Sequence, residues 1–324
     1  PITCGKCHPG AGARFAMGPV HVAMATPAQP VLYWARFTYL WLIVLTIGFM
    51  VLHNGLDFAR KMGRGWRQHL GRSQPRRLDL VRWFVRMTPS ERIQHGSLAI
   101  SFFVLVYTGF ALKFPESWPF AWLAQLEHGY RWRSLIHRGA AVVMIGVCLF
   151  HIGYLFTRRG RGVLGAMLPR LQDAVDVGAG LLHLLGLRPA PPRFDRFGYI
   201  EKMEYWALIW GSVVMSATGL VLWFENESLQ VFSKWMLDLA TLVHYYEAWL
   251  AFLAIVVWHL YQNIVNPDVY PMNWTWASGR ISEDQLHHEH PLEWERLATA
   301  EAHGEPEEKP AAEAPDPGEG AAPA

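Results

Sequence analysis

Two histidines fifteen residues apart stand inside one apolar stretch, Leu242 to Asn263, LVHYYEAWLAFLAIVVWHLYQN. In a helix rising 1.5 Å per residue, His244 and His259 lie roughly 22 Å apart along the axis and about 60° apart around it. An ionisable side chain at membrane depth is expensive and normally faces a cofactor, a partner or a cavity. Two imidazoles on one face, near opposite sides of a bilayer, are what a helix needs to hold two stacked haems. The bland reading is a pair of histidines snorkelling at the two interfaces. A second signature opens the chain: Cys4, Cys7 and His8 form C-x-x-C-H. That spacing attaches haem c by two thioethers, with His8 as one axial ligand. Met17 and His21 are the candidates for its other axial ligand, and bis-histidine packing favours His21. The rival chemistries at this motif are a zinc half-site and a redox C-x-x-C.

The elements that must position these groups are membrane helices. Half the chain is hydrophobic (52%) and its 16 tryptophans suit interfacial belts. Three cysteines make no disulfide framework; Cys148 sits in an apolar run and reads as packing. Five spans approach the 20 residues that a bilayer requires: about Val31–His53, Ile93–Lys113, Leu135–Phe156, Tyr205–Phe224 and Leu239–Val265. No long alternating pattern argues for a barrel. The expectation is an all-α integral membrane fold of five transmembrane helices, a four-helix bundle preceded by one extra helix.

Charge orients the spans. Between the first two lie ten basic residues, from Arg60 to Arg92, against Asp57, Asp79 and Glu91. Seven arginines, Arg158 to Arg196, separate the third span from the fourth. The positive-inside rule puts both segments in the cytoplasm and the N-terminus outside, where haem c is attached. The domain reading follows. Residues 1–30 are a periplasmic haem c segment, the end of a larger cytochrome c region. Residues 31–56 are the first helix, and 57–92 a basic cytoplasmic loop. The bundle takes 93–265, with an amphipathic cytoplasmic insert at 157–200. Residues 266–297 are a cytoplasmic segment, and 298–324 a disordered acidic Ala/Pro tail. The cluster His287, His288 and His290 is a solvated patch or, less often, a metal site. Such a chain belongs in a bacterial inner membrane as a multi-pass protein. Its partner is membrane lipid, and no nucleic acid is expected.

An internal echo runs through the spans. VYTGFALKF at Val106–Phe114 matches SATGLVLWF at Ser216–Phe224, and LIH at Leu135–His137 matches LVH at Leu242–His244. A second histidine follows each, His151 and His259. A duplicated helix pair is implied. Gly109 and Gly219 would let a haem edge or a neighbouring helix approach closely, or serve simple helix packing.

Several pieces together resemble a known family. They are ERIQHGSLAISFFVLVYTGF, LIHRGAAVVMIGV, FGYIEKMEYW, LVH…HLYQN and GRISEDQLHHEHPLEWER, within about Arg92–Glu295. The chain resembles the diheme membrane cytochrome b subunits of formate dehydrogenases and uptake hydrogenases. That resemblance implies a four-helix bundle holding two b haems by paired histidines and exchanging electrons with quinone near the inner haem. It assigns His137 and His244 to the outer haem and His95 and His259 to the inner one. The echo instead pairs His151 with His259, so His151 remains an alternative ligand. The first span and the C-x-x-C-H segment have no counterpart in that family. They look like fused multihaem c–diheme b proteins of bacterial respiratory chains. The family's asparagine-and-glycine quinone contact is not recognisable before span four, where Tyr199, Glu201 and Lys202 stand.

Glu201, Glu204 and Tyr205 are the quinone-side candidates, since quinone chemistry moves protons with electrons; each is equally readable as an interface anchor. The cofactors expected are two haem b, at least one covalent haem c, and quinone or quinol. The expected function is membrane electron transfer between the quinone pool and periplasmic c-type haems, with quinol oxidised, as the quinone-reactive subunit of a respiratory complex. Its partners would be a periplasmic multihaem cytochrome c or other redox subunits. The rivals are quinone reduction by a periplasmic donor, a structural anchor for a multihaem complex, and a transporter with relay histidines.

Overall fold

A computed structural model of the chain describes residues 27, 29–70, 82–122 and 129–303. Cys4, Cys7, His8, Met17 and His21 lie outside them, as does the chain beyond His303. Five helices among the described residues are long and apolar enough to cross a membrane. They are α1 (Pro30–Leu70), α2 (Pro89–Lys113), α3 (Gly129–Leu155), α6 (Tyr199–Trp223) and α8 (Lys234–Ala254). Two π-helical turns, Ile255–His259 and Tyr261–Val265, carry α8 to the end of the fifth span. The protein is a multi-pass membrane helical bundle. Its burial pattern is that of a protein whose solvent is lipid. Ile100, Leu45 and Val213 face outward, while Ser101, Thr108, Gln94, His53, Asn54 and Glu247 are buried between helices. Lipid tails are as apolar as leucine, so small and polar contacts, rather than apolar burial, hold such helices together.

The helices pack as two close pairs, α2 with α3 and α6 with α8. Between the pairs the contacts are made by rings: Phe110 reaches Trp249 and Phe252, with centroids 4.5 and 5.7 Å apart, and Phe114 reaches Tyr245 at 6.4 Å. Helix α1 is the extra helix, and it packs along α8.

A polar plate closes the end of the bundle where α2 and α6 begin. Its parts are α4 (Arg158–Met167), α5 (Leu171–Leu184), α10 (Glu283–Glu289), α11 (Pro291–Ala302) and a small antiparallel sheet of β1 (Trp83–Val85) with β2 (Arg280–Ser282). The short helices α7 (Glu225–Val231) and α9 (Thr275–Ser278) fill connections. The start of α2 is fixed by a capping box. Glu91 N–H donates to Thr88 Oγ1 (3.4 Å) and Thr88 N–H donates to Glu91 Oε2 (2.6 Å). Such a box contributes about 1 kcal/mol. The same carboxylate accepts from Tyr154 and Arg159, so it also ties α2 to the end of α3.

Several boundaries differ from the sequence reading. Helix α1 runs to Leu70, so much of the basic segment 57–92 is not a loop: charged residues continue a helix readily once it has left lipid. The fourth span starts at Tyr199, six residues early, because Glu201 accepts the Gly198 N–H at 2.9 Å and fixes the first turn there. The insert is two helices, broken at Leu168–Arg170 around Pro169, which removes a helical donor. The segment from Ala298 is helical as far as Ala302.

His287, His288 and His290 do not form a three-ligand group: none occurs among the described residues. His287 meets Trp294 edge-on, and His290 is buried in the plate. His290 Nδ1–H donates to Asp195 O (2.9 Å), and Nε2 accepts from Arg86 Nη2 (3.0 Å). Burial, and then the Arg86 charge, push His290 down from 6.5 to about 3. A depressed base contributes stability that is intact above the unfolded value and lost as pH falls towards the folded one. The plate should therefore loosen between pH 6.5 and about 3. Limited proteolysis of α10–α11 across that range checks it, and His290→Gln should flatten the dependence.

Candidate functional site

Four histidines meet in two pairs inside the bundle. His137 on α3 and His244 on α8 have ring centroids 6.4 Å apart; His95 on α2 and His259 at the end of the first π-turn are 6.2 Å apart. The first pair lies at the far end of the bundle and the second at the plate end. Imidazole–metal bonds are about 2 Å, so two rings sharing one iron have centroids roughly 6 Å apart. Both separations fit a haem iron between the rings.

The polar partners of the rings support the same reading. Thr108 Oγ1 donates to Val104 O (2.6 Å) and therefore accepts from His137 Nδ1–H (2.9 Å). Thr218 does the same one helix pair away, donating to Val214 O (2.7 Å) and accepting from His244 Nδ1–H (2.9 Å). Each bond fixes a tautomer and leaves Nε2 for iron, the usual outer support of a ligating histidine. The glycine after each threonine makes room. A Cβ at Gly109 would stand 3.3 Å from His137 Cε1, and one at Gly219 3.3 Å from His244 Cε1. The echoed T-G pairs are thus two copies of one histidine cradle. An imidazole approaches each of these glycines.

The plate-end pair is not symmetric. His259 Nδ1 donates to Glu204 Oε2 at 3.0 Å, while His95 Nδ1 is buried without a hydrogen-bond partner. His151, the other histidine at this level, is occupied on both nitrogens. Nδ1–H donates to Gln94 Oε1 (2.9 Å) and Nε2 accepts from Tyr205 O–H (3.1 Å). The three quinone-side candidates therefore separate: Glu204 faces His259, Tyr205 faces His151, and Glu201 turns back on Gly198. Glu201 Oε1 also stands 3.9 Å from His290 Nε2. A groove of 310 Å³ between α2 and α3 opens beside Gln94, lined otherwise by Ile93, Ser97, Val143, Gly146, Val147 and Phe150.

Sequence reasoning missed Thr108 and Thr218, although the T-G pair recurs in both halves of the echo. It also missed that Glu204 serves a histidine. No local signal announces that contact, since the partners are 55 residues apart.

The cytochrome b556 subunit of formate dehydrogenase from Haemophilus influenzae is 27% identical over 178 residues, 55% of this chain and 69% of that protein. The family described as prokaryotic cytochrome b561 matches residues 86–270, which hold all four paired histidines. Over more than half its length, with haem-spaced histidine pairs inside a membrane helical bundle, the chain belongs to the prokaryotic cytochrome b561 family.

Proposed function

We propose that the protein moves electrons between the quinone pool and c-type haems outside the membrane, through two b haems, and that quinol is oxidised. The observation that carries this is the pair of histidine pairs, 6.4 and 6.2 Å between ring centroids, at the two ends of one bundle. His137 and His244 would hold the outer haem, His95 and His259 the inner one. Bound haem supplies reversible one-electron chemistry, tuned by its axial ligands and their partners. The chain's own residues do the rest. Thr108, Thr218 and Glu204 hold Nδ1 protons and orient the rings. The aromatic residues between the helix pairs exclude water.

Quinol oxidation also releases protons, which need acceptors near the inner haem. Gln94, His151 and Tyr205 form a hydrogen-bonded line that begins at the groove between α2 and α3. The quinone ring would dock in that groove, and His151 is the base of this line. Glu201 lies at the plate, where released protons would leave. Covalent haem c on Cys4 and Cys7, with His8 and His21 as axial ligands, would receive the electrons. The basic segments Arg60–Arg92 and Arg158–Arg196 support an orientation with the plate on the cytoplasmic side of a bacterial inner membrane. The protein would work as the membrane subunit of a respiratory redox complex.

A pyridine haemochrome spectrum of the purified protein tests this directly. The expected result is two b haems together with at least one c haem per chain. A single b haem, or none, would refute the two-pair reading.

A further inference from the structure

The turn that carries His259 is not α-helical. Leu260 N–H reaches back five residues to Ile255 O, so one extra residue is accommodated just before the histidine. A wide turn of this kind breaks the 3.6-residue phase and marks functional sites in helices. Two side chains bond carbonyls of this stretch. Asn263 Nδ2 donates to His259 O (2.9 Å), and Asn54 Nδ2 of α1 donates to Val257 O (2.6 Å).

Asn54 is itself held from several sides. Its Oδ1 accepts from Gln262 Nε2 (3.3 Å) and from His53 Nδ1–H (3.3 Å), and His53 Nε2 accepts from Tyr199 O–H (2.9 Å). Trp258, 1% exposed, packs on the His53 and Phe49 rings at 4.8 and 6.1 Å. His53 and Asn54 are 4% and 5% exposed, deep between α1 and α8. Both precede residue 86, where the family match begins.

We propose that Asn54, backed by His53, is a positioning residue for the inner haem: it locks the wide turn at Val257 and so fixes the direction in which His259 points. The proposal rests on the reading of His259 as an inner-haem ligand. It gives α1 a definite task, which is to brace, from outside the family segment, the turn that carries His259. Removing the Asn54 amide removes this brace on Val257 O and lets the turn relax, and the imidazole then swings relative to its partner on α2. The outer pair, with its ligands on α3 and the far end of α8, should not respond.

The test uses haem-loaded protein carrying Asn54→Leu, nearly the same size but without a donor. Haemochrome should still count two b haems. Low-spin EPR and a redox titration should each show one b component moved and the other unmoved. The moved component should be the one that His259→Ala removes. Asn54→Gln, which restores an amide, should bring it back towards wild type. Tyr39→Phe, elsewhere on the α1–α8 contact, should move neither. Loss of the inner haem alone in Asn54→Leu is the same result carried further. Both components unmoved in Asn54→Leu, both moved equally, or the same shift in Tyr39→Phe would overturn the proposal. If Asn54→Leu does not accumulate, His53→Phe replaces it with the same outcomes, since it keeps the ring on Trp258 and loses both hydrogen bonds. Retention of both haems in His259→Ala would instead overturn the ligand reading.

Discussion

His95→Ala is expected to halve the b-haem content, while His151→Ala leaves it at the wild-type level. The two histidines compete for one role, since both stand at the plate end of the bundle and both have a family or repeat argument behind them. The ring of His95 is 6.2 Å from that of His259 and its Nδ1 has no protein partner. The ring of His151 is held between Gln94 and Tyr205 at 2.9 and 3.1 Å. To bind iron, His151 would have to break at least one of these bonds, each worth about 1 kcal/mol net and more when its partner is left buried. Loss of an axial ligand empties a site, whereas loss of a group outside the coordination shell shifts its properties by far less. If His151 is the proton-accepting group of the groove, His151→Ala should slow quinol turnover with both haems present. A haemochrome count on the two variants decides the matter. Two haems in His95→Ala and one in His151→Ala would transfer the ligand and restore the duplicated-pair arrangement.

Cys7→Ala should abolish covalent haem altogether. The b haems are held only by coordination and dissociate in denaturing detergent, so a haem-stained band after denaturing electrophoresis reports thioether attachment alone. The wild-type chain should stain and the variant should not, while its b-haem count in native detergent stays at two. Staining that survived the change would remove the C-x-x-C-H motif from the electron path. These two variants act on separate cofactors, so their effects should add.

The echo is instructive about what a repeat preserves. At the far end of the bundle both copies keep the whole device of threonine, glycine and histidine, and the two cradles agree to within 0.1 Å in the threonine–histidine distance. At the plate end the copies have diverged. His259 meets Glu204 and His151 meets Tyr205, although each is the second histidine of its copy. The register is already one residue off there, since His151 follows His137 by fourteen residues and His259 follows His244 by fifteen. A symmetric inference from the repeat makes His151 the ligand and the family resemblance makes it His95, and the haemochrome count decides between them.

What the sequence determined by itself is what contiguous residues determine. Apolar runs of bilayer length are a sum over neighbours, and they set the five helices and the all-α membrane fold. C-x-x-C-H and the flanking basic clusters are likewise local. The histidines were visible because a titratable group within an apolar run is conspicuous. Tertiary structure decided what depends on azimuth and depth across helices. Thr108 finds His137 because a hydroxyl bonded back to its own helix leaves a lone pair aimed at the neighbour. His259 meets Glu204 at the end of a π-turn that breaks the helical phase of α8, and no count at 3.6 residues per turn anticipates that break. The docking of α1 follows the same rule. Its apolar pattern makes it a membrane helix, but Asn54 bonds Val257 across 203 residues, a contact fixed to tenths of an ångström by how two helices pack.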